Sequence, residues 1–178
     1  MDADAAPISR YLEQIGAEAE PRGGREWGVR LPSEKRGAVT ALLTARERTL
    51  AARAFFMRGP DRDHEAVYRR LLRRNLDTRD WRFAVDDDGD LYLLADTPLA
   101  GLDVDRLDGL LGSLSTLVDE TYESVVRMGF EVPEGTTFGP PPGADPTPAV
   151  ESPSQPASVK SSMDAAARPP RRRSDAGV

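Results

Sequence analysis

Four arginines stand at helical spacing in the middle of the chain: Arg69, Arg70, Arg73 and Arg74. On one helix, 62, 69 and 73 share a flank and 70 and 74 lie beside them, a basic edge opposite Val67 and Leu71. Guanidinium groups so placed could hold phosphates or the carboxylates of an acidic peptide. Asp61, Asp63, Glu65 and Asp77 sit close by in sequence, and arginine toward a helix C-terminus also suits the helix dipole. A solvated face therefore competes with a binding face, and the domain's own acidity weighs against nucleic acid.

Other groups with chemical potential have plainer explanations. His64 is the only histidine, and a helical zinc-protease motif would need a second one where Tyr68 stands. The run Asp86-Asp87-Asp88-Gly89-Asp90 invites a calcium reading. Placing Gly89 at the sixth position of an EF-hand loop puts Ala84 first and Ala95 twelfth, where carboxylates are needed. Aspartates around a glycine are what a tight turn uses. Gly112-Ser113-Leu114-Ser115-Thr116 is no nucleophile elbow, and Gly23-Gly24-Arg25-Glu26-Trp27-Gly28 lacks the Gly-Lys-Ser/Thr ending of a phosphate loop. With no cysteine, thiolate metal sites and cysteine nucleophiles are excluded. No catalytic constellation emerges, so the chain reads as a non-enzyme that needs no cofactor and no metal.

The elements that would carry these residues follow from hydrophobic period. Ile8, Tyr11, Leu12 and Ile15 make one helical stripe, with Pro7 in its first turn and Gly16 or Pro21 as its stop. Trp27, Val29 and Leu31 alternate with Glu26, Gly28 and Arg30, predicting a strand stopped by Pro32. The Ala38–Met57 stretch has helix-favouring composition. Yet Val39, Ala41 and Leu43 alternate, as do Leu50, Ala52, Ala54 and Phe56, which predicts two strands joined at Arg46-Glu47-Arg48. After the Gly59-Pro60 break, Asp61 or Asp63 is placed to cap a helix with the stripe Val67, Tyr68, Leu71 and Leu72, ending at Asn75. Trp81, Phe83 and Val85, then Leu91 and Leu93 around Asp-Gly, predict a hairpin. Asp103 can cap a long final helix with apolar positions Leu107, Leu111, Leu114, Val118, Tyr122 and Val125, widened by Leu110, Leu117 and Val126. That width predicts packing on a sheet with surface left for another subunit. The class is α+β: an antiparallel sheet with helices, in the order α-β-β-β-α-β-β-α.

Composition divides the chain. Every aromatic lies at or before Phe138, and nine of the fifteen prolines lie after it. Up to Phe138 there are 19 basic and 26 acidic residues, a net charge of −7; from Gly139 onward there are 5 and 4. The expected organisation is a folded domain over 1–132 and a disordered Pro/Ala/Ser-rich tail over 133–178. Pro140-Pro141-Pro142 and the basic end Arg171-Arg172-Arg173 give that tail nothing to bury. The acidic start Met1-Asp2-Ala3-Asp4 has no signal-peptide pattern, and no apolar run approaches the roughly 18 residues of a membrane span. A cytoplasmic protein without membrane or nucleic-acid partners is expected. The 22 arginines against 2 lysines point to a GC-rich bacterial genome.

The element order, with Trp27-Gly28-Val29-Arg30-Leu31-Pro32, Val67-Tyr68 through Leu71-Leu72-Arg73-Arg74-Asn75, and Phe83-Ala84-Val85-Asp86 to Gly89-Asp90-Leu91-Tyr92-Leu93, resembles the YbjN family. Pro98-Leu99, Leu102-Asp103, Leu107 and Tyr122 fit the same pattern. The fold of that family is similar to that of type III secretion chaperones. The resemblance covers roughly residues 5 to 132, and its motifs are core aromatics, turns and caps. It implies a non-catalytic protein-binding or regulatory module, often dimeric, from a family of sensory transduction regulators. The protein partner is unnamed by any residue. Trp27, Tyr92, Arg69, Arg70, Arg73 and Arg74 are the residues expected to meet one, with Trp81 and Phe83 favoured as core. The rival expectations are a nucleic-acid-associated regulator using the arginine helix and a small-molecule-binding sensor.

Overall fold

The computed structural model describes residues 5–139, and side chains from Pro7 onward. Its elements are α1 (Ala5–Gln14), β1 (Glu18–Gly23), β2 (Glu26–Ser33), β3 (Gly37–Ala45), β4 (Thr49–Met57), α2 (His64–Arg74), β5 (Arg82–Val85), β6 (Leu91–Pro98) and α3 (Val104–Gly129). Of the expected tail, residues 133–139 are described, and 140–178 lie outside the described residues. The fold is α+β, with six strands in one antiparallel sheet in the order β1-β2-β3-β4-β6-β5.

Alternation decides the sheet's two faces. Val29 lies across from Ala41, Ala41 from Ala54, Ala54 from Leu93, and Leu93 from Phe83, and all five are buried. Trp27, Leu43, Ala52 and Ala95 form the neighbouring buried row. Because side chains alternate with period two, the residues between them line the other face: Gly28, Leu42, Arg53, Leu94 and Arg82 in one row. The Ala38–Met57 stretch is thus the hairpin β3–β4, since only a strand lets the Val39, Ala41 and Leu43 set face the core together.

The chain has one strand more than the predicted order. Of the two expected stops for α1, Gly16 is the one used: the helix ends at Gln14, Gly16 takes φ 67° just past it, and Glu18–Gly23 then pairs with β2 as an edge strand. Only Ala19 of that strand is even partly buried, so it carries no apolar alternation to read. Pro21 is tolerated because an edge position can leave one side of the ladder unpaired. Pro32 does not stop β2 either. It pairs with Ala38, beyond the reach of β1, whose register ends at Glu18 opposite Arg30.

The helices cover the buried face. Helix α3 is capped by Asp103, whose carboxylate accepts the Arg106 N–H at 2.8 Å. Leu107, Leu110, Leu111, Leu114, Leu117, Val118 and Val125 are all buried along it. The width predicted to leave room for a second subunit is taken up within the chain, because α3 meets α1 and α2 as well as the sheet. Trp81 donates its indole N–H to the Leu110 carbonyl at 2.9 Å, satisfying a buried donor. After α3, Phe138 packs edge-on against Tyr122, with the Arg127 guanidinium 5.0 Å from its ring centre.

Candidate protein-binding site

Helix α2 begins where the chain is tightly held. The N–H groups of Asp61 and Arg62 both donate to the Gly129 carbonyl. Gly59 and Gly89 touch backbone to backbone, since a Cβ on Gly59 would lie 2.9 Å from the Gly89 carbonyl oxygen. Neither expected aspartate caps the helix through its side chain. Asp63 occupies the cap position with φ 51° and makes no capping bond, while Asp61 forms a two-pronged pair with Arg58.

Asn75 ends α2 and does more than terminate it. Its side-chain amide accepts the Phe83 N–H at 2.7 Å and donates to the Phe83 carbonyl at 3.2 Å. Phe83 sits on β5, the edge of the sheet, so the amide occupies hydrogen-bonding groups that would otherwise face outward.

The stripe read as core splits in two. Val67 and Leu71 are buried, but Leu72 is 65% exposed and Leu76, just past the helix, is 85% exposed. With Glu65, Tyr68, Arg69 and Arg73 they line an open groove of about 440 Å³. The third exposed large apolar side chain among the described residues, Val85, is 52% exposed and shares a face of β5 with Phe83.

The arginine cluster divides the same way. Arg70 donates to Ser124 Oγ at 3.2 Å, and Arg74 pairs with Glu120, both on α3. Arg69 pairs with Glu65 one turn away. Arg73 makes no ion pair among the described residues and lines the groove. The basic edge expected from helical spacing is therefore two flanks: one fastened to α3, the other facing out.

Of the aromatic residues expected at a surface, Trp27 is not there. It is 4% exposed and donates its indole N–H to Ser9 Oγ at 3.0 Å. Trp81 and Phe83 are core. Tyr92 does reach the uncovered sheet face, beside Phe55 at 5.5 Å between ring centres and with the Arg53 guanidinium 3.9 Å over its ring. Burial, with Asp86 adding to it, raises the Tyr92 phenol above its ordinary pKa despite Arg53, so it stays neutral.

The acidic turn explains its own residues. One Asp86 oxygen accepts the N–H groups of Asp88 and Asp90, and Asp90 accepts the Gly59 N–H at 2.8 Å. Gly89 takes φ 86°. Among the described residues, no group of three or more His, Cys, Asp or Glu side chains is placed to hold a metal ion. His64 is exposed, its ring 6.2 Å from that of Tyr68.

Leu72 and Leu76 are the residues that sequence reasoning missed as surface. The signal was a second stripe, 65, 68, 69, 72, 73 and 76, at the same helical spacing as the buried one.

A protein-family model described as "Putative bacterial sensory transduction regulator", YbjN, matches residues 4–127. The chain belongs to the YbjN family. The chain is 36% identical over 102 residues to an uncharacterized protein of Mycobacterium leprae, and 34% identical over 102 residues to one of Mycobacterium tuberculosis. Those matches cover 57% of this chain, which spans about 55% of the length of the M. leprae relative and 56% of the other. Among solved structures, the Yersinia pestis type III secretion chaperone SycH, in complex with a stable fragment of YscM2, aligns with TM-score 0.49 and 17% identity. It covers 67% of this chain and 99% of that one. The ExoU-SpcU complex from the type III secretion system of Pseudomonas aeruginosa aligns with TM-score 0.48 and 23% identity, covering 68% of this chain and 96% of that one. Among the described residues no helix is long and apolar enough to cross a membrane.

Proposed function

We propose that this YbjN domain is a non-catalytic regulatory module of the cytoplasm that works by binding a polypeptide along the outer flank of α2. One observation carries the reading. Leu72 on α2 and Leu76 just past its end stand in water, on the flank away from buried Val67 and Leu71, and a contiguous exposed apolar flank is what binding surfaces have. The family description, a sensory transduction regulator, agrees with a module that acts through contact.

The arrangement supports a protein ligand over the two rivals. A phosphate backbone needs several free cations in a row, whereas Arg70, Arg74 and Arg69 are each bonded to Ser124, Glu120 or Glu65. A small-molecule site is usually enclosed, and the α2 groove is open. The net charge of −7 up to Phe138 adds to the case against nucleic acid.

The test compares the wild-type chain with Leu72→Glu/Leu76→Glu in quantitative capture of bound chains. Both residues are exposed, so the variant should melt as the wild type does. Loss of the captured chains, with melting unchanged, is expected. Identical capture by both proteins would rule out the α2 flank.

A further inference from the structure

We infer that the proline run Pro140-Pro141-Pro142, the first residues beyond those described, crosses the rim of the sheet and lies on Phe55 and Tyr92 of its uncovered face. The inference concerns the layer opposite α2 and does not depend on that helix as a binding flank.

The path of the chain is the first support. Beyond α3, the Thr136 N–H donates to the Pro133 carbonyl at 3.2 Å, and Arg127 donates to the Thr136 carbonyl at 3.2 Å. Phe138 then packs on Tyr122 of α3, in the helix layer. One residue later the backbone reaches the β2–β3 turn, since a Cβ on Gly139 would lie 3.0 Å from the Glu34 carbonyl oxygen. Gly139 takes φ 145°, which glycine adopts freely. The chain has thus come from the helices to the end of the sheet, and its next step is over the rim. Arg36 of that turn has its guanidinium 6.0 Å from the Phe55 ring centre, so the turn and the aromatic pair are neighbours. Three prolines at about 3.1 Å per residue add roughly 9 Å of reach.

The receiving surface is the second support. Phe55 and Tyr92 face each other across β4 and β6, their ring centres 5.5 Å apart and their planes inclined at 72°. Such an aromatic notch suits proline, whose ring is apolar and whose backbone has no N–H to leave unsatisfied. A polyproline helix makes no internal hydrogen bonds, so its carbonyls are free to accept. A donor stands at the notch: the Arg53 guanidinium lies over the Tyr92 ring, and Arg53 makes no ion pair among the described residues.

Covalent attachment supplies the rest. Three prolines bind weakly between separate chains, but a segment tethered beside its site acts at an effective concentration on the order of millimolar. The run is stiff before it docks, so it loses little freedom on docking. The outer face is then closed by a strap of its own chain, and any foreign chain reaching Phe55 and Tyr92 must displace it.

Nuclear magnetic resonance on the full chain tests this, with the wild type set against Pro140→Ser/Pro141→Ser/Pro142→Ser. The substitutions lie outside the core, so both proteins should melt alike. In the wild type, through-space contacts are expected from proline ring protons to the ring protons of Tyr92 and Phe55. The triple-serine variant should lose them, with its Tyr92 and Phe55 ring signals moved. Dilution of the wild type should leave the contacts at full strength. Contacts that fade on dilution would mean that another copy's prolines fill the notch, and would overturn the strap. So would proline contacts to α2 alone, proline contacts to neither ring, or Tyr92 and Phe55 signals identical in the two proteins.

Discussion

The two flanks of α2 have nearly the same residue types and opposite fates. On one, Val67 and Leu71 are buried and Arg70 and Arg74 are bonded to Ser124 and Glu120 of α3. On the other, Leu72 and Leu76 are in water and Arg73 has no ion pair among the described residues. Leucine and arginine alone therefore predict neither core nor interface. What decides is whether a neighbouring element lies within reach, and the outer flank is the part of the helix that no other described element covers.

The strongest way to break that comparison is to truncate both leucines. Leu71→Ala should cost about 2–5 kcal/mol, as large-to-small changes in a packed core do. Leu72→Ala should fall within about 0.5 kcal/mol of the wild type, as exposed positions do. Denaturant melts check both, and equal losses would erase the distinction between flanks. Next in size is Asn75→Ala, which strips the hydrogen bonds from the Phe83 N–H and C=O at the sheet edge. A loss of about 1–3 kcal/mol is expected, with faster amide exchange at Phe83. An unchanged exchange rate there would show that water replaces the amide at no cost.

The smallest effect concerns how firmly α3 is held, because the inner flank of α2 leans on it. Asp119 of α3 accepts Ser33 Oγ at 2.6 Å and the Lys35 N–H at 3.0 Å, gripping the β2–β3 turn. Burial pushes its carboxyl up, but the bonds from Ser33 and from the Lys35 and Glu34 backbones, with the Lys35 charge, hold it below the ordinary value. A depressed carboxyl stabilises the fold at pH above its unfolded pKa, and that stability is lost as pH falls through the folded one, below about 4. Asp119→Asn should cost on the order of 1 kcal/mol at neutral pH. It should also flatten part of the acid limb in a pH series of melts. A limb of unchanged slope would show that the grip does not depend on charge.

How much of this was legible in the sequence depended on how much each element buries. Strands β2 to β6 announced themselves because one face of each meets the helices, so Val39, Ala41 and Leu43 had to alternate. Strand β1 was silent, since an edge strand wet on both faces has no pattern to keep. The direction of α2 was half legible. Val67, Tyr68, Leu71 and Leu72 fit one arc of a helical wheel, but Leu72 lies about 100° beyond Leu71. Only the position of α3 and the sheet shows that the buried centre falls at Val67 and Leu71. Trp27 and Tyr92 were equally good surface aromatics in the sequence. The register, which puts Trp27 opposite buried Leu43 and Tyr92 opposite Phe55, separates them.

The Asn75 amide works as a bolt between the end of α2 and the rim of the sheet. While it is closed, the helix cannot roll about its long axis without unfastening the strand, so the direction in which Leu72 points is set before anything arrives. A chain docking on that flank would meet a surface already fixed in direction, and the freedom lost would be mostly its own.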